Sequence, residues 1–486
     1  MASSAVEAAV SELERCADPA AASMHLSALA TLIAEAEAAE ALLCEPEQAG
    51  RTLGALSRVL VELGPQLDAA ALACACTAVS VVLDRALEAA PDRNAQLLAT
   101  ARGVCVACRR GGRSALRETA AAVAQLASVG TADTRDVLRA EAAPHIVMSM
   151  LGGGLYTVAC VALHYLTQDD AAATVAALPG VGAALAAALW MAAVNADRGE
   201  DVRAITAALV HVAADSECAA QLADAAGAAV VALETHAADA ACVRLLAAAV
   251  AKLADAGVAD ARSPAARAAA ARALALHRGE PKLRTPLLAA LVAAAAAEVQ
   301  AAALLDGRRA ALEAFMLETR TSSIAGAGAG LFVASGEAPA GAVIALYPGE
   351  VWAEAPPASV AAGNEYFAAS PGGGFADGSA AAVARAAAAA SAREALDLGA
   401  RAAAHKANHP AAGAAPNCIF LELALPEAVL QCAPAAAPDG GVPPWVLCLL
   451  SVEALPCGSE VTVDYHIDAA SAPAWYTPVA KHLTLL

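Results

Sequence analysis

The first part of the chain repeats an apolar pattern with helical spacing, and this pattern stops near residue 318. Large apolar residues recur at positions i, i+3, i+4 and i+7, and Gly, Pro or Asp separates one stretch from the next. The stretches are Glu47–Gly64, Asp92–Arg110, Arg113–Gly130, Asp201–Asp215 and Ala240–Gly257. The pattern predicts helices over residues 1–317 and no strand before residue 318.

Two of the predicted helices repeat each other. Their large apolar positions align at an offset of 41 residues (243 − 202): Val202/Val243, Ile205/Leu246, Leu209/Val250 and Val212/Leu253. Armadillo and HEAT repeats have periods of about 40–47 residues, and their helices stack because none buries its apolar face alone. We therefore expect an alanine-rich, all-α solenoid of the armadillo/HEAT type; the alternative is that alanine-rich helices match by composition alone.

From residue 318 to residue 486 the pattern changes to short β-type runs separated by Gly and Pro. The runs are Leu331–Val333, Ala342–Tyr347, Cys418–Leu423, Trp445–Leu450 and Glu460–Tyr465. The alanine-rich residues 380–404 predict a helical insert, and residues 432–444 predict a loop. The sequence thus predicts two domains, a helical solenoid over 1–317 and a β-rich domain with a short C-terminal tail over 318–486.

Composition narrows the class of protein. The 486 residues include 49 acidic and 30 basic ones, for a formal charge of −19. This acidity argues against direct nucleic-acid binding and suits a basic partner. No run of about 20 bulky apolar residues predicts a membrane span, so no membrane partner is expected. The N-terminal segment is acidic and has no apolar core of a signal peptide, which favours the cytoplasm or the nucleus.

The thirteen cysteines do not predict a metal site. Their number is odd, and most lie in helical patterns, where a thiol packs as a small apolar group. Cys105 and Cys108 form a C-x-x-C pair, but a structural zinc site needs a second pair of ligands, and none follows at the usual spacing. We expect both residues to pack in the core, with metal or redox chemistry as the alternative.

Four short segments of the β-rich region carry candidate chemistry. In chain order they are the glycine turn Ser323–Phe332, the Tyr-Pro-Gly-Glu segment Tyr347–Glu350, the pairs Asn408-His409 and Pro416-Asn417, and the final run Gly458–Tyr465. Together these segments resemble the SET-domain family of S-adenosylmethionine-dependent protein lysine methyltransferases over residues 319–468. The resemblance implies a SET-like fold, a lysine N-methyltransferase activity and S-adenosylmethionine as the cofactor.

The resemblance also implies which residues contact the cofactor. Gly328, Gly330 and Leu331 correspond to the family's glycine turn at the methionine end of the cofactor, where the missing Cβ lets the backbone approach. Asn408 and His409 correspond to the family's Asn-His pair, which lies on the cofactor. Six residues separate His409 from Pro416, so this loop is longer than the family's usual Ser-Cys-x-Pro-Asn continuation.

The catalytic residue implied by the resemblance is Tyr465, and Tyr347 is a second tyrosine of the same pocket. Methyl transfer from a sulfonium needs a neutral amine, a short approach and exclusion of water. A tyrosine hydroxyl orients the amine without adding a negative charge that would keep it protonated. Tyr366 and Trp475 are predicted to bind the substrate, with strand packing as the alternative for Tyr366. In many members of the resembled family, a cysteine-rich zinc segment after this tyrosine closes the lysine channel. No cysteine follows Cys457 here, so aromatic packing by Trp475 would close the channel instead.

Other chemistries fit the sequence less well. A dinucleotide fingerprint requires a third glycine where Leu331 stands, and a β-type run follows instead of a helix. A Cys–His nucleophile would use Cys418, Cys448 or Cys457, but none of these residues lies in a sequence motif typical of a catalytic cysteine. The predicted partners are a basic or lysine-rich protein substrate and a protein bound by the solenoid. The alternative function is a non-catalytic scaffold.

Overall fold

A computed structural model of the chain describes residues 2–34, 46–85, 93–111, 115–151, 156–167, 171–214, 216–278, 280–304, 315–357, 360, 366–369, 374–390, 402–425, 427–430, 435–465, 467, 476 and 478–479. The chain divides into two compact units, Met1–Ala229 and Val230–Leu486. The change from helix to strand that the sequence marks at residue 318 thus lies inside the second unit.

Helices make up the regular structure described before residue 305. They are α1 (Ala2–Arg15), α2 (Pro19–Ala34), α3 (Pro46–Glu62), α4 (Ala69–Arg85), α5 (Arg93–Gly111), α6 (Leu116–Val129), α7 (Ala132–Glu141), α8 (Ala143–Leu151), α9 (Tyr156–Leu166), α10 (Ala172–Ala176), α11 (Val181–Ala193), α12 (Gly199–Val212), α13 (Ser216–Gln221), α14 (Ala226–Thr235), α15 (Ala240–Asp255), α16 (Pro264–Leu276) and α17 (Pro281–Leu304). The predicted helices are confirmed as α3, α5, α6, α12 and α15, with ends that differ by a few residues.

The repeated stripe of apolar residues lies on the buried faces of α12 and α15. All eight of its positions are 0% exposed, including Val202 and Leu209 on α12 and their counterparts Val243 and Val250 on α15. Each helix therefore buries the face that the sequence pattern predicts. Cys105 is also buried, which confirms its core packing, and burial raises the pKa of the Cys108 thiol to about 12.

Two helices of the second unit begin at residues whose side chains cap them. The Asp239 carboxylate accepts hydrogen bonds from the backbone N–H groups of Ala241 (2.9 Å) and Cys242 (3.2 Å) at the start of α15. The Ser263 hydroxyl accepts from Ala266 N (3.2 Å) at the start of α16. Such caps satisfy N–H groups that have no partner inside the helix.

Among the described residues, ten short strands follow the helices. They are β1 (Phe315–Thr321), β2 (Ala329–Ala338), β3 (Val343–Leu346), β4 (Gly349–Trp352), β5 (Phe367–Ala369), β6 (Phe375–Asp377), β7 (Cys418–Leu423), β8 (Ala435–Ala436), β9 (Val446–Ser451) and β10 (Leu455–Pro456), with helices α18 (Ala380–Ala390) and α19 (Glu427–Leu430) between them. They form three small sheets of the orders β1-β2-β10, β3-β9-β7 and β5-β6-β4-β8. The pairs are antiparallel except β4–β8, which is parallel.

A helix of the second unit packs closely on this β-rich part. Gly341, in the turn before β3, has a positive φ of 78°. A Cβ at this position would lie 2.5–2.7 Å from atoms of Arg267 on α16. Only glycine permits so close an approach of the turn to the helix backbone.

Three sequence expectations need correction. β1 begins at Phe315, so a strand does precede residue 318; its exposed Met316 interrupts the apolar alternation that would have revealed it. The run Glu460–Tyr465 forms isolated bridges instead of a continuous strand. The predicted loop 432–444 contains the two-residue strand β8. The helical insert is confirmed over 380–390 as α18, whereas residues 391–401 lie outside the described residues.

Candidate functional site

The extended segment 460–463 brings three of the four motif segments together. Along one edge its backbone N–H groups donate to the carbonyl oxygens of Leu331 and Asn408, at 2.8 and 2.9 Å. Along the opposite edge, Cys418 N donates to Thr462 O at 2.9 Å. The segment therefore lies between the glycine strand and Asn408 on one side and the start of β7 on the other.

Asn417 anchors the same segment through its side chain. Its Nδ2 donates to Glu460 O (2.8 Å), and its Oδ1 accepts from Thr462 N (2.8 Å). Both ends of the amide are thus occupied by neighbouring backbone groups. Asn417 therefore holds the fold of this region through both ends of its amide.

The glycine turn is closed by backbone hydrogen bonds and needs glycine for its conformation. Gly326 and Gly328 have φ values of 82° and 70°, in the left-handed region. Ser322 N donates to Gly328 O at 2.8 Å and closes the turn. In the part of the chain that the structure describes, no atom beyond the chain neighbours of Gly328 lies within 4 Å of the position that its Cβ would take, so this side of the turn is open. The side chain of Leu331, by contrast, is buried in the core.

The Glu460 carboxylate accepts hydrogen bonds from three residues. Oε1 accepts from Ser322 Oγ (2.6 Å) and from Asn408 Nδ2 (3.0 Å). Oε2 accepts from the backbone N (2.8 Å) and the hydroxyl (2.5 Å) of Ser323. Glu460 therefore joins the glycine turn, Asn408 and the final motif in one polar cluster. From the sequence, Glu460 is expected only to be a structural partner at a turn or strand end, and no motif marks it as the centre of this cluster.

The side chain of Asn408 presents one unused acceptor. Its Nδ2 donates to Glu460 Oε1 and to Ala329 O, the latter at 3.1 Å. Its Oδ1 receives no hydrogen bond from any residue that the structure describes. The amide is therefore held with its carbonyl oxygen available to a donor such as an ammonium group.

The hydrogen bonds to Glu460 lower the pKa of its carboxyl group. Partial burial opposes this shift, but the bonds from Ser322, Ser323 and Asn408 favour the ionised form and outweigh it. A carboxyl group with a lowered pKa in the folded state stabilises the fold above its unfolded pKa, and this contribution is lost as the pH falls through the folded pKa.

We expect Glu460→Gln to lower the urea midpoint most near pH 7 and progressively less below about pH 4, the ordinary pKa range of a glutamate. The reason is that protonated Glu460, like glutamine, accepts these bonds poorly. Urea unfolding of both proteins at several pH values measures the difference. Glu337→Gln, on the exposed part of β2, is the control for loss of one charge. A midpoint difference that stays constant down to pH 3 would contradict the expectation.

His409 packs between two aromatic rings. Its centroid lies 5.6 Å from that of Tyr465 and 4.5 Å from that of Tyr476, and its Nδ1 accepts from Tyr465 N at 3.4 Å. The Tyr476 hydroxyl donates to the Asp464 carboxylate at 3.3 Å. His409 thus holds the tail near Tyr465. Trp475, the predicted channel residue, lies outside the described residues.

Tyr465 and Tyr347 each donate their hydroxyl proton to a backbone carbonyl. Tyr465 donates to Ala407 O (2.7 Å), and Tyr347 donates to Tyr366 O (2.6 Å). Burial raises the pKa of Tyr465 to about 12 and also raises the pKa of Tyr347, and each shift is increased by the charge of a neighbouring tyrosine. Both donating hydroxyls therefore stay protonated at neutral pH.

Tyr366 offers an aromatic face that a lysine of the chain itself contacts. Lys406 Nζ lies 4.6 Å from the centroid of the Tyr366 ring, a cation–π distance. The His405 ring stands edge-on to Tyr347 and Tyr366, at 6.2 and 5.9 Å. Burial, together with the charge of Lys406, lowers the pKa of His405 to about 4, so the ring is neutral. No motif identifies His405, and sequence reasoning gave it no place among these tyrosines.

The remaining candidate groups have structural partners. Glu350, in the Tyr-Pro-Gly-Glu segment, is buried and pairs with Arg385 through both oxygens. Burial raises the pKa of the Cys418 and Cys448 thiols, so neither is an activated nucleophile.

Comparison with protein-family models and with curated proteins found no match. Among the helices that the structure describes, none is both long and apolar enough to cross a membrane.

Proposed function

We propose that this chain is an S-adenosylmethionine-dependent protein lysine N-methyltransferase with a SET-like site in residues 318–486. The observation that carries the proposal is the convergence on segment 460–465, which contacts the glycine turn and Asn408 and ends at Tyr465. These contacts join motifs that are up to 138 residues apart in the chain. The SET-like identity rests on the resemblance of those motifs and on this convergence.

The residues of the turn fit the methionine end of the cofactor. Gly328 leaves open space on one side of the turn, and Asn408 Oδ1 is an available acceptor for an ammonium group. Glu460 adds a negative charge beside the Asn408 amide. When bound, S-adenosylmethionine supplies a methyl group on a sulfonium. Carbonyl and carboxylate oxygens favour such a positive centre.

The tyrosines suit the recognition of a neutral amine. The Tyr465 hydroxyl gives its proton to Ala407 O, so its oxygen lone pairs remain available to accept from a lysine amine. The raised pKa of Tyr465 keeps the hydroxyl neutral, and no phenolate charge holds the amine protonated. Tyr347 and Tyr366 add aromatic surface around His405, two residues before the Ala407 carbonyl that binds Tyr465, and buried Tyr347 helps to exclude water.

The helical part is proposed to bind a protein partner. The apolar stripes of α12 and α15 are buried, so each of these helices packs through the face that the sequence repeats. This repeated buried face supports the proposal of an armadillo/HEAT-like solenoid. The formal charge of −19 favours a basic, lysine-rich substrate. The proposed location of the reaction is the cytoplasm or the nucleus. A non-catalytic scaffold built on the same fold is the competing function.

Binding of S-adenosylmethionine to the full chain tests the proposal, and we expect a saturable 1:1 complex by titration calorimetry. Asn408→Ala should weaken this complex by about 1.5–3 kcal/mol, the scale of a hydrogen bond to a charged group. Asn417→Ala removes a similar amide next to the site and is the matched control; its effect should fall on stability, because both ends of that amide bond to backbone.

Incubation with methyl-labelled cofactor and a lysine-rich cell extract then separates the two functions. Label on protein lysines supports the methyltransferase. Cofactor binding with no transfer to any protein would favour the scaffold. No binding of S-adenosylmethionine by the folded chain would rule out the proposed cofactor site.

A further inference from the structure

The Glu460 carboxylate fills the space that a side chain at position 330 would need. A Cβ built on Gly330 would overlap Glu460 Oε1 and lie 2.8 Å from Asn408 Nδ2. The φ of Gly330 is not in the left-handed region, so its backbone conformation is open to any residue. The demand for glycine at this position is therefore steric, and the obstacle is Glu460 together with Asn408.

Position 328 requires glycine for a different reason than position 330. The φ of 70° at Gly328 favours glycine, yet no described atom beyond its chain neighbours lies within 4 Å of its Cβ position. The two glycines of the motif thus serve different needs: one shapes the turn, and the other leaves room for a carboxylate.

Four donors converge on the two oxygens of Glu460. Oε1 faces the Ser322 hydroxyl and the Asn408 amide, and Oε2 faces two donors of Ser323. A glutamine at this position would turn an NH₂ group toward one of these donor pairs. Only a carboxylate accepts from both sides at once.

We propose that Glu460 is a positioning residue of the cofactor pocket, and that Gly330 is small because Glu460 occupies its side-chain space. Glu460 holds the Asn408 amide with Oδ1 outward and ties the 322–328 turn to the segment that ends at Tyr465. The role of Glu460 toward the cofactor rests on the proposed function. It differs from the usual reason for such a glycine, which is the approach of a ligand to the backbone.

A double-mutant cycle separates the two explanations of Gly330. Gly330→Ala, Glu460→Ala and the double variant are prepared in the full chain, and S-adenosylmethionine affinity is measured by calorimetry. We expect each single change to weaken binding about tenfold. In the Glu460→Ala protein the overlap with Oε1 is gone, and the Asn408 amide, released from its hydrogen bond to Glu460, can move away from the new Cβ, so Gly330→Ala should add less than about twofold. If a new Cβ at position 330 obstructs the ligand itself, its full penalty persists without Glu460, and the inference is wrong.

Hydrogen exchange of the ligand-free chain gives a second readout that needs no cofactor. Because Ser323 N donates to Glu460, its exchange should accelerate about tenfold or more in Glu460→Ala and in Gly330→Ala. The control is Glu422→Ala, which removes a carboxylate that accepts from Gly374 N at 3.3 Å, away from the turn. Unchanged exchange in both turn variants would overturn the positioning role. Should the wild-type chain fail to bind S-adenosylmethionine, the proposed function falls, while the exchange result still decides whether Glu460 holds the turn.

Discussion

Replacing Tyr465 with phenylalanine is expected to lower the rate of lysine methylation about 10²-fold, roughly 3 kcal/mol of transition-state stabilisation. The change keeps the ring that packs beside His409 and removes the hydroxyl that would orient the amine. Affinity for S-adenosylmethionine should stay nearly constant, because the polar contacts of the proposed cofactor pocket involve Glu460 and Asn408. Single-turnover methyl transfer and calorimetry measure the two quantities.

Tyr347→Phe is the control for loss of a buried tyrosine hydroxyl. The Tyr347 hydroxyl donates to Tyr366 O, much as the Tyr465 hydroxyl donates to Ala407 O, so each variant loses one hydrogen bond from a buried hydroxyl, although Tyr366 O keeps the bond from Gly378 N. We expect Tyr347→Phe to slow transfer much less than Tyr465→Phe. Equal rates for Tyr465→Phe and the wild-type protein would mean that the Tyr465 hydroxyl has no part in methyl transfer.

The pH dependence of the reaction follows from the same tyrosine. Burial raises the pKa of Tyr465 to about 12, so its hydroxyl does not titrate between pH 7 and pH 9. A rate that rises through this range would therefore report deprotonation of the substrate lysine, whose neutral form attacks. The slope should be the same in Tyr347→Phe, because the pKa of Tyr347 is raised as well.

The sequence predicted those parts of the fold that depend on local periodicity. The apolar stripe of α12 is buried as expected, because apolar residues at this spacing lie on one face of a helix and that face packs in the core. Segment 460–465 alternates apolar and polar residues in the sequence, and Val461 and Val463 are buried in the core as this pattern predicts; Thr462 and Asp464 are buried as well, and the segment forms isolated bridges instead of a strand. A short motif of this kind lies within one segment of the chain, so it can be recognised from the sequence without a structure.

Contacts between distant residues were not predictable in this way. The Glu460 carboxylate accepts a hydrogen bond from Ser322, which lies 138 residues earlier in the chain. Nothing in the sequence of either segment predicts this contact. His405 lies against Tyr347 only because the segment before Asn408 packs over β3. The reason for glycine at position 330 likewise depends on Glu460, so a glycine motif alone cannot tell which neighbour needs the space.

The largest expected loss of stability comes from Gly349→Ala, at about 3 kcal/mol or more. Gly349 has a φ of 103°, and a Cβ there would overlap the backbone oxygen of Asp377 on the paired strand β6. An L-residue in left-handed backbone costs about 1–2 kcal/mol, and a clash with a fixed backbone atom adds about 1–3 kcal/mol. Gly413→Ala is the matched control, because Gly413 has a φ of 79° but no atom within 4 Å of its Cβ position. Urea unfolding should therefore show a loss near 1 kcal/mol at Gly413 and about three times as much at Gly349; equal losses would mean that β4 moves away from β6 without cost.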